Sequence, residues 1–140
     1  MDNLIILPRQ RIIWRPFNEN YSTDDNTPGG TLVKDGNWHT LDLSNPPNHS
    51  LESVPKNAKS VLLKIIATSF VVGTYFRIRR LGDLNGINEY RSPDTPLGGS
   101  TIVGKELWMN IEGADAQIEY LFSGTFLLAG IASRAWIIED

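Results

Sequence analysis

The chain has 140 residues, of which 41% are hydrophobic and 21% charged, with a formal net charge of -3 and no cysteine. This length suits one domain, and the composition is that of a globular rather than a disordered protein. The negative charge gives no broad basic surface, so we expect neither nucleic acid nor a membrane as a partner. Without cysteine, the chain has no disulfide, thiolate metal site or cysteine nucleophile.

The first 30 residues are predicted to form an extended N-terminal arm followed by a loop. Residues 4–7 and 11–14 are short apolar runs separated by Pro8, which predicts a strand that bends at the proline and lies at a sheet edge. Residues 18–30 are rich in turn-forming residues and are predicted to be a loop. The first apolar run is too short for a signal peptide, so we expect synthesis in a cytoplasm without classical export.

Period-two or continuous apolar patterns predict the strands of the remaining chain. The expected strands are residues 31–34, 38–43, 58–69, 73–80, 101–111, 117–122 and 126–138. Residues 58–69 are apolar on both faces and could form a buried helix, but their β-branched residues and the missing helix cap favour a strand. The last strand is also apolar on both faces, so it is either a central strand or covered by another subunit. We expect these two strands to pair near the middle of one sheet.

About eight or nine strands with turn signals between them, and no helix with a convincing cap, indicate an all-β protein. We expect an antiparallel, jelly-roll-like β-sandwich with an extended N-terminal arm. Residues 1–30 form the arm and loop in this prediction, and residues 31–140 form the sandwich domain. The longest loops are expected at residues 45–57 and 82–99, where proline and glycine are frequent.

The chain offers little for catalysis or metal binding. It has two histidines, His39 and His49, and no Gly-x-Ser-x-Gly motif, so we expect no catalytic residue and no cofactor. His39, Asp42 and His49 could supply three zinc ligands only if the intervening loop folds back. Residues 83–89 alternate oxygen-bearing side chains as a calcium loop does, but the twelve-residue spacing is absent and a hairpin turn is the simpler interpretation. We therefore expect no metal site.

The best candidates for ligand-binding residues in the sequence are aromatic. The four tryptophans are Trp14, Trp38, Trp108 and Trp136. Tryptophan in a small β-sandwich is usually in the core or at a subunit interface, and the alternative is a platform on which a sugar stacks. Trp38 follows a turn on the more polar face of its strand, so it is the candidate for an exposed ring. Trp38, Tyr75 and Tyr90 form the candidate binding set.

Several segments resemble a known group of virus proteins. They are Trp38-His39-Thr40-Leu41-Asp42-Leu43-Ser44, Val54-Pro55-Lys56-Asn57-Ala58-Lys59-Ser60-Val61-Leu62-Leu63-Lys64-Ile65, Tyr75-Phe76-Arg77-Ile78-Arg79, Asn88-Glu89 and Ile118-Glu119-Tyr120. Together they resemble small β-sandwich domains of tailed-bacteriophage virion proteins, both tail-associated and capsid-decorating. The resemblance covers about two-thirds of the chain. This chain inserts residues 45–53 into the pattern, and residues 1–37 lie outside it.

The resemblance implies a non-enzymatic structural protein, because such family members carry no catalytic residues. We expect it in the virion, assembled in the host cytoplasm, as a homo-oligomer of trimeric size that docks on major capsid or tail subunits. The expected interface residues are Leu4, Ile5, Ile6, Ile12, Trp14 and Trp136. The alternative function is a carbohydrate-binding or receptor-binding module that holds a surface glycan through Trp38, Tyr75 or Tyr90.

Overall fold

The structure is a computed structural model that describes residues 9–14, 20–22, 32–45, 53–69, 74–85, 88–91, 101–123 and 128–139. Within these ranges the chain forms strands and turns and no helix. The strands are β1 (Gln10–Trp14), β2 (Asn20–Ser22), β3 (His39–Asp42), β4 (Ser60–Ser69), β5 (Tyr75–Arg80), β6 (Asn88–Arg91), β7 (Thr101–Asn110), β8 (Gln117–Phe122) and β9 (Leu128–Glu139). The predicted all-β class is confirmed.

The strands form two antiparallel sheets. The five-stranded sheet has the order β1-β9-β4-β7, with β2 pairing to β9 as well, and the four-stranded sheet has the order β3-β8-β5-β6. One cluster of buried side chains receives residues from both sheets, for example Ile65 from β4 and Phe76 from β5. The two sheets therefore enclose a common core, as in a β-sandwich.

The two strands predicted to be apolar on both faces, β4 and β9, are neighbours in the middle of the five-stranded sheet. Val61, Leu63 and Ile65 alternate toward the core and are fully buried, as period-two patterning requires. The structure thus confirms the predicted pairing and the central position of the last strand. Complete burial of each such aliphatic side chain contributes roughly 1.5–3 kcal/mol.

A β-bulge in β9 changes which of its residues face the core. Leu62 pairs with Ala135 whereas Leu63 pairs with Ser133, so Arg134 is an extra residue without a partner position on β4. Ile131 and Ser133 face inward before the bulge, and Trp136 faces inward after it. The bulge therefore turns Ala135 toward the opposite, outer face of the sheet.

The strand predicted at residues 31–34 is wrong, because residues 32–34 form no strand. The backbone of this segment is bonded in other ways. The Val33 amide donates to the Tyr120 hydroxyl at 3.0 Å, and the Gly36 amide donates to the Phe122 carbonyl at 2.9 Å. Gly36 has a φ of 77°, a left-handed conformation that glycine adopts without strain. The expected turn is present here, but it follows an irregular segment rather than a strand.

Two short strands lie in segments that were predicted to be loops. β6 lies within residues 82–99 and pairs with β5, and β2 lies within residues 18–30 and pairs with β9. Tyr21 of β2 is buried in the core. β1, predicted as an edge strand, does lie at the end of its sheet. Within the described residues, two strands from the first 30 positions thus pair with the last strand of the chain.

Candidate functional site

The outer face of the five-stranded sheet carries the most distinctive surface of the described chain. Ile13 of β1 and Leu107 of β7 pack against the core, so the residues beside them point outward. We give the name apolar patch to six apolar residues of this outer face: Ile12, Trp14, Leu62, Ile66, Trp108 and Ala135.

Four residues of the apolar patch lie in one row across the sheet. Trp14 pairs with Ala135, Ala135 pairs with Leu62, and Leu62 pairs with Trp108. Neighbouring strands are about 4.8 Å apart, so the backbones of the two tryptophans are separated by roughly 14 Å. The row thus begins and ends with a tryptophan and has smaller side chains between.

The members of the patch differ in how much of each side chain is exposed to solvent. The exposed members are Trp14 at 59%, Ile12 at 50%, Trp108 at 44% and Ile66 at 41%. Ala135 and Leu62, between the two tryptophans, are buried. The exposed surface of this row is therefore formed by the two indole rings, and the side chains between them are covered within the chain.

Such a surface is unusual for a protein that acts as an isolated chain. Large apolar side chains exposed singly are normal, whereas a contiguous apolar patch marks a site of contact with another molecule. Tryptophan is also enriched among the residues that carry most of the binding energy of interfaces. The next row on this face contains Lys64 and Glu106, which pair across β4 and β7, and Ile66 lies in the row beyond them. Charged side chains therefore border the tryptophan row on one side, as charged residues often border the apolar centre of a protein interface.

The candidate binding residue Trp38 lies beside the outer face of the four-stranded sheet. The guanidinium carbon of Arg79 is 3.8 Å from the centroid of its ring, which is a close cation–π contact. Nε of Arg79 is 3.2 Å from Oε1 of Glu119, on the neighbouring strand β8. One face of the Trp38 ring is therefore occupied by the protein itself, which leaves at most the other face for a sugar.

The other two members of the candidate binding set lie on strands β5 and β6. Tyr75 is half-buried on β5, and the guanidinium carbon of Arg77 lies 5.0 Å from the centroid of its ring. Tyr90 is on β6, where it pairs with Phe76, and its side chain is outside the described part of the structure.

The predicted interface residues fall into three groups. Ile12 and Trp14 are exposed members of the apolar patch. Trp136 is only 4% exposed in the single chain and packs in the core. The remaining three, Leu4, Ile5 and Ile6, lie outside the described residues.

Polar groups elsewhere form local contacts rather than a reaction centre. Nε2 of His39 is 2.8 Å from Oδ1 of Asp35, and this hydrogen bond lowers the pKa of the Asp35 carboxyl. The Asn85 amide donates to Oδ1 of Asp83 at 3.1 Å, which closes the turn after β5. Among the described residues no group of three potential ligands could hold a metal ion, and His49 lies outside them.

No protein-family model and no curated protein matches the chain. The part of the chain that the structure describes contains no helix of the length and apolarity needed to cross a membrane.

The sequence analysis did not single out Trp108 as an exposed residue. A signal for it exists in the alternation along β7, where Trp108 falls on the same face as Glu106 and Asn110 while Leu107 and Met109 turn toward the core. A tryptophan in phase with charged and amide side chains is a candidate for exposure.

Proposed function

We propose that this chain is a non-enzymatic structural protein of a phage particle, a capsid-decoration or tail or neck component that associates through its apolar patch. It would be assembled in the host cytoplasm and reside in the virion, in contact with copies of itself and with capsid or tail subunits. The observation that carries the proposal is the row from Trp14 to Trp108, two exposed indoles on one sheet face. The resemblance to virion domains supports the viral assignment.

The strand order supports a jelly roll as the finer description of the fold. β1 and β2 both pair with β9 and run in the same direction beside it, so they count as one interrupted edge strand. Counted in this way, the first strand lies beside the last, followed by the third and sixth, and the other sheet has the second, seventh, fourth and fifth. This order consists of two Greek keys, and jelly rolls of this kind form viral capsid and lectin domains.

The mass of the protein in solution tests whether the patch causes association. We expect the mass measured by light scattering to rise above the 15.6 kDa of one chain as the concentration increases. The double variant Trp14→Ser/Trp108→Ser is expected to stay at the mass of one chain. Leu84→Ser is the matched control, because Leu84 is an exposed apolar residue in a turn away from the patch. An intact chain that stays monomeric at every concentration contradicts the proposal.

The viral assignment is tested separately, by immunogold labelling of particles made by cells that express the chain from its native genome. We expect gold at regular positions on purified particles. Recovery of the chain only in the particle-free fraction contradicts a virion role and leaves association through the patch untouched.

A carbohydrate-binding or receptor-binding module is the second candidate function. The observation in its favour is the same pair of exposed indoles, since sugar rings stack on tryptophan. The aliphatic members of the patch, Ile12 and Ile66, favour a protein partner instead, because they offer no stacking face and no hydrogen bond. Glycan-array binding by a monomeric preparation, lost in Trp14→Ser or in Trp38→Ser, would support this second candidate.

A further inference from the structure

We propose that the occupant of the apolar patch is a second copy of this chain, related to the first by a two-fold axis along the midline of the outer face. The axis runs parallel to the strands, between β9 and β4. This inference rests on the proposed function and names the partner. It replaces the trimer expected from the sequence with a dimer in which two five-stranded sheets stack face to face.

The symmetry of the patch about this midline carries the inference. A rotation about it exchanges β1 with β7 and β9 with β4, since these strands lie at equal distances on either side. Trp14 of one copy then lies over Trp108 of the second copy, and each Trp14–Trp108 pair can stack in the offset manner that aromatic rings favour. Ala135 and Leu62, which lie between the two pairs, are already covered within each chain, so the tryptophan rings supply the contact in this row.

The same rotation matches large with small side chains in the neighbouring rows. Ile66 pairs with Gly130 within the chain, so in the dimer each Ile66 lies over the glycine of the second copy. Lys64 lies over Ala132 in the same way and meets no like charge. A face that complements itself under one rotation is what an isologous interface requires.

The exposed area is sufficient for a modest dimer. The four exposed members of the patch offer roughly 400 Å² of apolar surface, if a fully exposed tryptophan has about 250 Å² and an isoleucine somewhat less. A standard interface buries about 800 Å² on each partner, so the apolar side chains supply about half of that. Lys64 and Glu106, which lie between the tryptophan row and Ile66, add to the contact, and we expect association that depends on concentration.

Chemical cross-linking tests the arrangement without touching either tryptophan. Ile12 and Asn110 lie in one row at opposite edges of the face, with Ile137 and Ser60 between them. The two-fold axis places Ile12 of one copy over Asn110 of the other, separated by about the 10 Å that divides stacked sheets. Because the natural chain contains no cysteine, Ile12→Cys and Asn110→Cys each carry a single reactive thiol.

A bis-maleimide linker with a span of about 10 Å should join the two variants only when they are mixed. In either variant alone the two thiols lie at opposite edges, roughly 14 Å apart across the strands as well as one sheet spacing apart, beyond the linker. Thr40→Cys is the control for random collisions, since Thr40 is exposed on the four-stranded sheet. Mixed with Ile12→Cys, it should give no cross-linked dimer. Addition of Trp14→Ser to both variants should weaken association about 30-fold or more and abolish the product.

The possible outcomes distinguish a failure of the two-fold dimer from a failure of the proposed function. A product formed only in the mixture supports the two-fold dimer. Equal cross-linking in the single variants, or none while the intact chain still associates, overturns the two-fold arrangement and leaves the structural role standing. An intact chain that is monomeric at all concentrations overturns both.

Discussion

Trp136 and Trp14 differ most among the tryptophans in how much of the ring the fold covers. Truncation of a buried tryptophan leaves a cavity, so Trp136→Ala should lower the free energy of unfolding by about 3–5 kcal/mol. Trp14→Ser removes an exposed ring and should change it by less than about 1 kcal/mol. Urea unfolding at a concentration where the chain is monomeric measures both. Similar losses in the two variants would contradict the division between core and patch.

Tyr120 should make the stability of the protein depend on pH in the alkaline range. Burial raises the pKa of the Tyr120 hydroxyl above its ordinary 10.0, and the hydroxyl also accepts the Val33 amide. The folded state disfavours the ionised ring. The contribution of the neutral hydroxyl to stability is therefore complete below the ordinary pKa and is lost as the pH rises through the raised pKa of the folded state. The free energy of unfolding should therefore fall as the pH is raised above about 10.

The variant Tyr120→Phe tests this assignment. It leaves the Val33 amide without its acceptor and should lose about 1 kcal/mol at pH 7. Its stability should then fall less steeply than that of the natural chain when urea unfolding is repeated at increasing pH. Parallel curves for the two proteins would show that another group causes the alkaline loss.

At the level of single residues, the period-two pattern predicted which side chains face the core but not how much of each side chain other residues cover. Phe76 and Ile78 were expected to face the core and do so. Arg79 was expected to point outward, and it lies beside Trp38 on the outer face, yet it is buried because the indole ring covers it. Sequence alternation cannot reveal such a contact, since Trp38 comes from a segment 41 positions earlier in the chain.

At the level of elements, the length of a strand determined whether the sequence pattern could predict it. β4 and β9 have 10 and 12 residues, enough for continuous apolar runs to be recognised, and their pairing was predicted. β2 and β6 have 3 and 4 residues, too few to display a period. They are strands because they form hydrogen bonds with β9 and β5. These are tertiary contacts, which the local sequence propensity cannot predict.

The turn between β7 and β8 depends on left-handed backbone at Gly113, whose φ is 76°. A Cβ at this position would lie 3.4 Å from Nη2 of Arg80, which also donates to the Glu112 carbonyl. Gly113→Ala should therefore lower the free energy of unfolding by about 1–2 kcal/mol through the left-handed conformation, since a contact of 3.4 Å with a flexible side chain is an ordinary one. Thermal and urea unfolding measure it.

Gly36 provides the matched control for the turn. It has a similar φ of 77°, but a Cβ there would meet no atom within 4 Å. Gly36→Ala should lower the free energy of unfolding by a similar amount, because both variants place a Cβ in left-handed backbone. A clearly larger loss in Gly113→Ala would contradict backbone strain as the common cause.

At the scale of the whole molecule, the apolar patch exists only because the sheet order brings four distant segments together. Trp14, Leu62, Trp108 and Ala135 belong to four different strands, and their common row follows from three strand registers. The sequence predicted a two-sheet architecture and two members of the patch, Ile12 and Trp14. It could not predict Trp108 as their neighbour, because register between distant strands is set by the packing of the whole core.

The most direct test of the patch as a contact surface is acrylamide quenching of tryptophan fluorescence as a function of protein concentration. In the isolated chain Trp14 and Trp108 are exposed, whereas Trp136 is buried. If copies associate through the patch, the quenching constant should fall as concentration rises. Trp14→Ser/Trp108→Ser retains half-buried Trp38 and buried Trp136, so its quenching constant should be lower and should not change with concentration. A quenching constant that stays high and unchanged over the whole concentration range would contradict the central role of the patch.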